Sequence, residues 1–157
     1  MMNSTKQIAK HFRDVHFGGN WTSVNLKDTL AGIDWKQATT KVADLNTIAV
    51  LVFHIHYYVG VILKVLQGEA LNASDKFSFD LPPITTEEAW QELVARALTE
   101  AEQLALCIEQ LDEATLLRDF EDPKYGSYYR NLLGVTEHTH YHLGQISLIK
   151  KMTSAQE

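Results

Sequence analysis

The chain has 157 residues, 45% of them hydrophobic, enough for one domain with a sizeable core and too few for two comfortable ones. A formal net charge of -6, with no basic stripe, argues against a nucleic-acid binder. The one cysteine, Cys107, excludes an internal disulfide and a thiolate zinc cluster.

The opening "MMNSTKQIAKHFRDV" is polar and charged, unlike a secretory leader. A first helix is predicted from Ser4 to His16, with Ile8, Phe12 and Val15 along one face and Gly18-Gly19 as the stop. A connector follows, carrying a short helix around Leu26 to Gly32. The second long helix is predicted from Thr40 to Gln67, ending at Gly68. Its stretch "TIAVLVFHIHYYVGVILKVL" could span a bilayer, but it carries two histidines and two tyrosines, and one isolated span is an odd anchor. It reads as a buried helix of a cytoplasmic protein without a membrane partner. The polar loop "GEALNASDKFSFDLPPI" leads into a third long helix, where Thr85 and Glu88 have capping-box spacing. Leu93, Ala97, Leu104, Ile108 and Leu111 supply its inward stripe. The loop "RDFEDPKYGSYYRN" precedes a last helix from Tyr129 to Met152, and its segment Tyr125–Arg130 either forms a substrate mouth or caps the bundle end. Cys107 is expected in the core, and Trp21, Trp35 and Trp90 over the bundle ends. The sum is an all-α single domain over residues 1–157, a four-helix bundle with a connector crossing one end.

Three of the seven histidines alternate in the last helix, at His138, His140 and His142. At about 100° per residue, His138 and His142 lie within about 40° of each other, one turn apart. Asn131, Val135, Gln145 and Ile149 continue their stripe. His140 sits roughly 200° from His138 by the same geometry, among Glu137, Gly144, Ser147 and Lys151, a solvent-like face. Two histidines spaced i, i+4 on a core face are what a divalent metal needs from one helix. The second helix offers a third. Thr47, Leu51, Tyr58, Val61 and Val65 share the stripe of His54, whereas His56 falls closer to the rear, so His54 is favoured. Spacing alone is equally compatible with hydrogen-bonded core histidines. A zinc peptidase of the HExxH type is disfavoured because Thr139 stands where its glutamate would be. A di-iron bundle needs a second ExxH unit, and Glu137 with His140 is the one present.

The stretch "EHTHYHLGQI" resembles the HxxxHxGQ signature on the final helix of the DinB-like superfamily, which is similar to bacterial metal-dependent thiol transferases. An amphipathic first helix, a Gly/Trp connector and a mid-helix histidine extend the resemblance over nearly the whole chain. It implies an up-up-down-down bundle in which His54, His138 and His142 bind one divalent metal and leave positions open to water. Gln145 matches the signature's glutamine, and Gly144 would allow close helix approach.

Three neutral nitrogens plus water suit a catalytic site better than a structural one, which fills all four positions with protein. Tyr57 and Tyr58 are nearby donors, with packing favoured for Tyr57, so Tyr58 and Gln145 stand as the catalytic candidates. Zinc or nickel heads the metals that three imidazoles accept, with iron and manganese also compatible. Two function classes follow. One is an enzyme activating a small thiol or a water, with a low-molecular-weight thiol as the small-molecule partner. The other is a metal-stabilised bundle acting as a binding or assembly module. Surplus apolar surface on the second helix predicts a homodimer, which the related bundles often form.

Overall fold

A computed structural model describes residues 3–154. Six α-helices form: α1 (Ser4–Phe17), α2 (Leu26–Leu30), α3 (Trp35–Thr39), α4 (Ile48–Leu66), α5 (Glu87–Glu109) and α6 (Tyr128–Ser154). Among the described residues, β pairing is limited to one bridge between Asp119 and Ser127. The four long helices pack in the cyclic order α1, α5, α4, α6, so the expected all-α bundle is what the chain forms.

Side-chain contacts set the helix directions. Ser4 and Thr5 at the start of α1 donate to Glu113, just past the end of α5, so these helices are antiparallel. Arg13, further along α1, pairs with Glu102 and Glu109. Helices α4 and α6 also run antiparallel: Ile62 shares a cavity wall with Asn131 and Gly134, and Leu51 shares another with Leu148 and Ile149. Both α4 and α5 start beside α3. Trp35 N–H donates to Glu87 at 2.9 Å, and the Trp90 indole donates to the Ile33 carbonyl at 2.7 Å. These two neighbours are therefore parallel. The order is up-down-down-up, which corrects the up-up-down-down arrangement implied by the resemblance. The consequence is structural. The connector 18–47 stays at one end, as expected, but the segment 67–86 must travel back along the bundle because α4 ends where α5 does.

Capping explains where the helix bounds differ from expectation. Helix α4 begins at Ile48, not Thr40, because the Thr47 hydroxyl accepts from Val50 N–H as its N-cap. Residues 40–47 are instead irregular, with Ala43 in the left-handed region at φ 46°, and Thr40 closes the additional helix α3. Thr86, not Thr85, caps α5 by accepting from Ala89 N–H at 3.2 Å. With Thr86 as cap the third helical position is Ala89, so no capping box forms, and Glu87 instead accepts from Trp35 N–H. The stripe Leu93, Ala97, Leu104 and Ile108 is buried as expected, and Leu111 packs against it partly buried. Trp90 is fully buried and Trp21 fully exposed, so Trp21 covers nothing. Cys107 is partly buried against the core, which raises its thiol pKa. Helix α4 is long and apolar enough to cross a bilayer by length and composition, yet more than half of it is buried inside the protein, as a core helix would be.

His16 is an unusual member of that core. Its Nδ1–H donates to the Phe12 carbonyl at 2.9 Å, and its Nε2 is buried without a partner. Burial pushes its pKa down to about 4. A histidine whose folded pKa lies below its unfolded value contributes stability above the unfolded value that is lost as pH falls. Acidification from pH 7 to 4 should therefore cost up to about 3 kcal/mol at this position alone. Chemical denaturation of wild type and His16→Leu at both pH values would test this. The variant should lose measurably less stability on acidification, and an equal loss in the two proteins would contradict it.

Candidate metal centre

Midway along the bundle, α4 presents His54 and α6 presents His138 and His142 to one point. One ring nitrogen from each lies within 4.8 Å of the other two. His54 and His142 are buried and His138 half-buried. The structure thus brings together the three histidines that helical phase selected. It leaves His56 and His140 elsewhere. His56 turns toward α5, with Nδ1 3.4 Å from the Glu100 carboxylate. His140 faces α1, its ring centroid 6.3 Å from that of His11.

Hydrogen bonds decide which nitrogens are free. The His54 Nδ1–H donates to the Ser78 hydroxyl at 3.0 Å and carbonyl at 3.3 Å, which leaves Nε2 as a lone pair. The His142 Nδ1–H donates to the Gln145 amide oxygen at 2.7 Å, which likewise frees Nε2. His138 Nε2 lies 2.9 Å from His54 Nε2, a separation at which two bare lone pairs would repel. A proton or a cation must lie between them. Burial first, then repulsion from the other imidazoles, pushes His138 down to about 4 and lowers His54. Both are neutral at pH 7, so a cation displaces no stabilised imidazolium. Outer acceptors hold the second nitrogens of His54 and His142, while His138 Nδ1 is buried without a partner, and three convergent imidazoles of this kind can hold a divalent transition ion.

The segment between α4 and α5 completes the site. Travelling back along α4, it forms a 3₁₀ turn at Asp75–Phe77 and places Ser78, fully buried, behind His54. The Ser78 hydroxyl donates to the Asp75 carbonyl oxygen at 2.8 Å, and Tyr58 donates to the Asp75 carboxylate at 2.7 Å. The Tyr58 hydrogen bond holds the Asp75 carboxyl below its usual range, and burial with Asp75 as partner pushes Tyr58 up to about 12. Tyr58 is a neutral donor at physiological pH. The Phe79 ring stacks on His54 with centroids 3.8 Å apart. Tyr57, expected to act through packing, also clamps this strap: its hydroxyl accepts from Ser74 N–H at 2.8 Å and donates to the Ser74 carbonyl at 3.1 Å.

Sequence reasoning missed Ser78, Asp75 and Phe79. No local spacing marks them. The available signal was the length of the segment, far beyond the usual helix–helix connection of about 2–8 residues. Gly144 is exposed, and no atom lies where its Cβ would make contact, so it allows no close approach. Gly60 instead leaves room for the Glu100 side chain, whose carboxylate an added Cβ would meet at 3.1 Å.

A cavity of about 500 Å³ opens beside His138, lined by Tyr58, Ile62, Arg130, Leu133 and Glu137 among others. A second, of about 430 Å³, shares Tyr58, Ile62 and Asn131 and reaches Lys124 and Tyr125. The Tyr125–Arg130 segment therefore contributes to cavity walls.

The fold and the convergent imidazoles define a class: an all-helical bundle with a candidate metal centre in its core. A model of the DinB superfamily matches residues 20–146, and the chain belongs to that superfamily. No curated protein and no solved structure matched the chain.

The strap depends on few ties, so it should respond locally. Tyr57→Phe removes both hydrogen bonds to Ser74, and exchange of the backbone amides of residues 70–80 should accelerate about tenfold. The amides of α1 should be little affected. Unchanged exchange in the strap would show that its burial, not Tyr57, holds it.

Proposed function

We propose that this protein is a metal-dependent enzyme in which His54, His138 and His142 bind one divalent ion, zinc or nickel foremost, and activate a small thiol or a water. The observation that carries the reading is the convergence of three imidazole nitrogens beside an open cavity, with no carboxylate or thiolate joining the cluster among the described residues. Such a three-nitrogen set leaves a coordination position for substrate. An ion bound there would supply a lowered pKa for a coordinated thiol or water.

The remaining work belongs to the chain itself. Ser78 and Gln145 fix the tautomers and ring planes of His54 and His142, so that their lone pairs converge with His138. Tyr58, kept protonated and aimed at Asp75, forms one wall between the histidines and the cavity. Gln145 and Tyr58 act here as positioning groups. Ile62, Leu133 and Val135 make the adjoining wall apolar, which strengthens electrostatic interactions at the site. Transfer of a low-molecular-weight thiol to an electrophile is the activity that the superfamily resemblance favours. Hydrolysis is the second reading, and Glu137, lining the same cavity as His138, favours it as a base for a water.

We place the protein in the cytoplasm and propose that it is a homodimer. Helix α4 is not the support for the dimer, because its residues are buried or half-buried and only Lys64 is exposed. Support comes from α6, where Tyr141, Leu148 and Met152 are 66%, 57% and 41% exposed at spacings that put them on one stripe. Light scattering should give twice the chain mass in wild type and the chain mass in Leu148→Glu. A monomeric wild type at high micromolar concentration would remove the dimer from the account.

Metal content after dialysis tests the ligand set. Alanine at His54, His138 or His142 should abolish stoichiometric metal, whereas alanine at His56 or His140 should not. Ser78→Ala and Gln145→Leu should weaken affinity about 10–100-fold, the usual scale for lost outer-shell partners. Equal metal loss in His140→Ala would show that the site lies elsewhere. Metal-dependent conjugation of a thiol to an electrophile, lost in His142→Ala, would establish the enzyme. Full metal loading with neither conjugation nor ester or amide hydrolysis would instead leave a binding module.

A further inference from the structure

The cavity beside His138 has a chemically distinct far end. Arg130 lies in the first turn of α6, eight residues and about 12 Å of helix before His138. Among the described residues its guanidinium has no carboxylate partner: the ion pairs there are Lys10–Asp14, Arg13 with Glu102 and Glu109, His56–Glu100 and Lys124–Asp122. Arg130 is exposed at the cavity edge, and its stem crosses the backbone at Gly126. Gly126, at φ 76°, lies under its stem, and a Cβ there would sit 2.8 Å from the arginine Cδ. Glycine at 126 thus serves both the left-handed backbone and the passage of the arginine across it. Between Arg130 and His138 the lining mixes the apolar Ile62, Leu133 and Val135 with Asn131 and Glu137, and Arg130 is the permanent cation among the residues lining this cavity.

Resting on the thiol-activating metal centre proposed above, we propose that Arg130 anchors a carboxylate at the far end of the substrate. The substrate class is then an elongated thiol whose carboxylate lies on the order of 10 Å from its sulfur, with an apolar or neutral section between. A guanidinium presents a planar fork that matches a carboxylate with two parallel hydrogen bonds. Glu137 lines the same cavity, and its charge disfavours a dianionic phosphate more than a singly charged carboxylate. No bond is made or broken at Arg130. It selects and orients.

The test uses cobalt-loaded protein and two length-matched thiols, ω-mercaptohexanoate and ω-mercaptohexanol, with dissociation constants read from the cobalt absorption spectrum. The acid should bind about tenfold more tightly than the alcohol, the scale of one charge-assisted bidentate contact at a partly open site. Arg130→Met should bring the ratio close to one without changing cobalt content, and Arg130→Lys should retain part of the preference. A ratio near one in wild type, or a preference that survives in Arg130→Met, would overturn the proposal. Hexanoate, which lacks sulfur, separates this inference from the reading it rests on. Arg130-dependent hexanoate binding seen by NMR, with no spectral response to either thiol, would keep the carboxylate anchor and reject thiol activation. A normal thiol response with Arg130-independent hexanoate binding would do the reverse.

Discussion

The parallel packing of α4 against α5 is the constraint from which the site follows. Two parallel neighbours cannot be joined by a tight turn, so the chain must return along the length of the first before starting the second. Here the return covers about 28 Å, the length of a 19-residue helix. Residues 67–86 make that journey along α4, meeting Tyr57 with Ser74, Tyr58 with Asp75 and His54 with Ser78. A topological necessity thereby delivers the groups that orient one histidine and stack on its ring. Without the strap, His54 would present its Nδ1 to solvent and its tautomer would be undetermined.

Burial sets the chemistry that the histidines can perform. Desolvation is the largest influence on both His54 and His138, and it favours the neutral imidazole. The same influence at His16 has a different consequence, because His16 sits alone in the α1 core with an unpartnered Nε2. One residue type therefore plays two parts in this bundle. Three copies converge on a point where lone pairs are useful, and a fourth is held neutral at a cost that appears on acidification. His56 and His140 are further cases, each drawn aside by a neighbour on another helix: Glu100 on α5 and His11 on α1.

Helical phase was the most informative signal in the sequence. It separates His140 from His138 and His142 because a turn of 200° is far outside the tolerance of a core stripe. It prefers His54 to His56 with less contrast, since α4 is apolar nearly all round, yet both choices match where the side chains lie. Helix starts were less legible. Thr40, Thr47, Thr85 and Thr86 all have the side-chain chemistry of an N-cap, and side-chain type alone does not choose among them. Helix direction was not legible at all, because it depends on which ends the connections join. Ser78 and Asp75 were hidden for the same reason: their roles come from where the return strand of chain passes, and no periodicity records that. The small-residue role assigned to Gly144 failed because α6 exposes that face.

The central claim is that the three imidazoles form the protein's share of a metal coordination sphere with room for substrate. X-ray absorption at the metal edge of zinc-loaded protein addresses it most directly. The account predicts three imidazole nitrogens at about 2.0–2.1 Å, identified by outer-shell ring scattering, together with one or two light-atom ligands and no sulfur in the absence of added thiol. Fewer than three imidazoles, or a shell composed of carboxylate oxygens or sulfur, would contradict it.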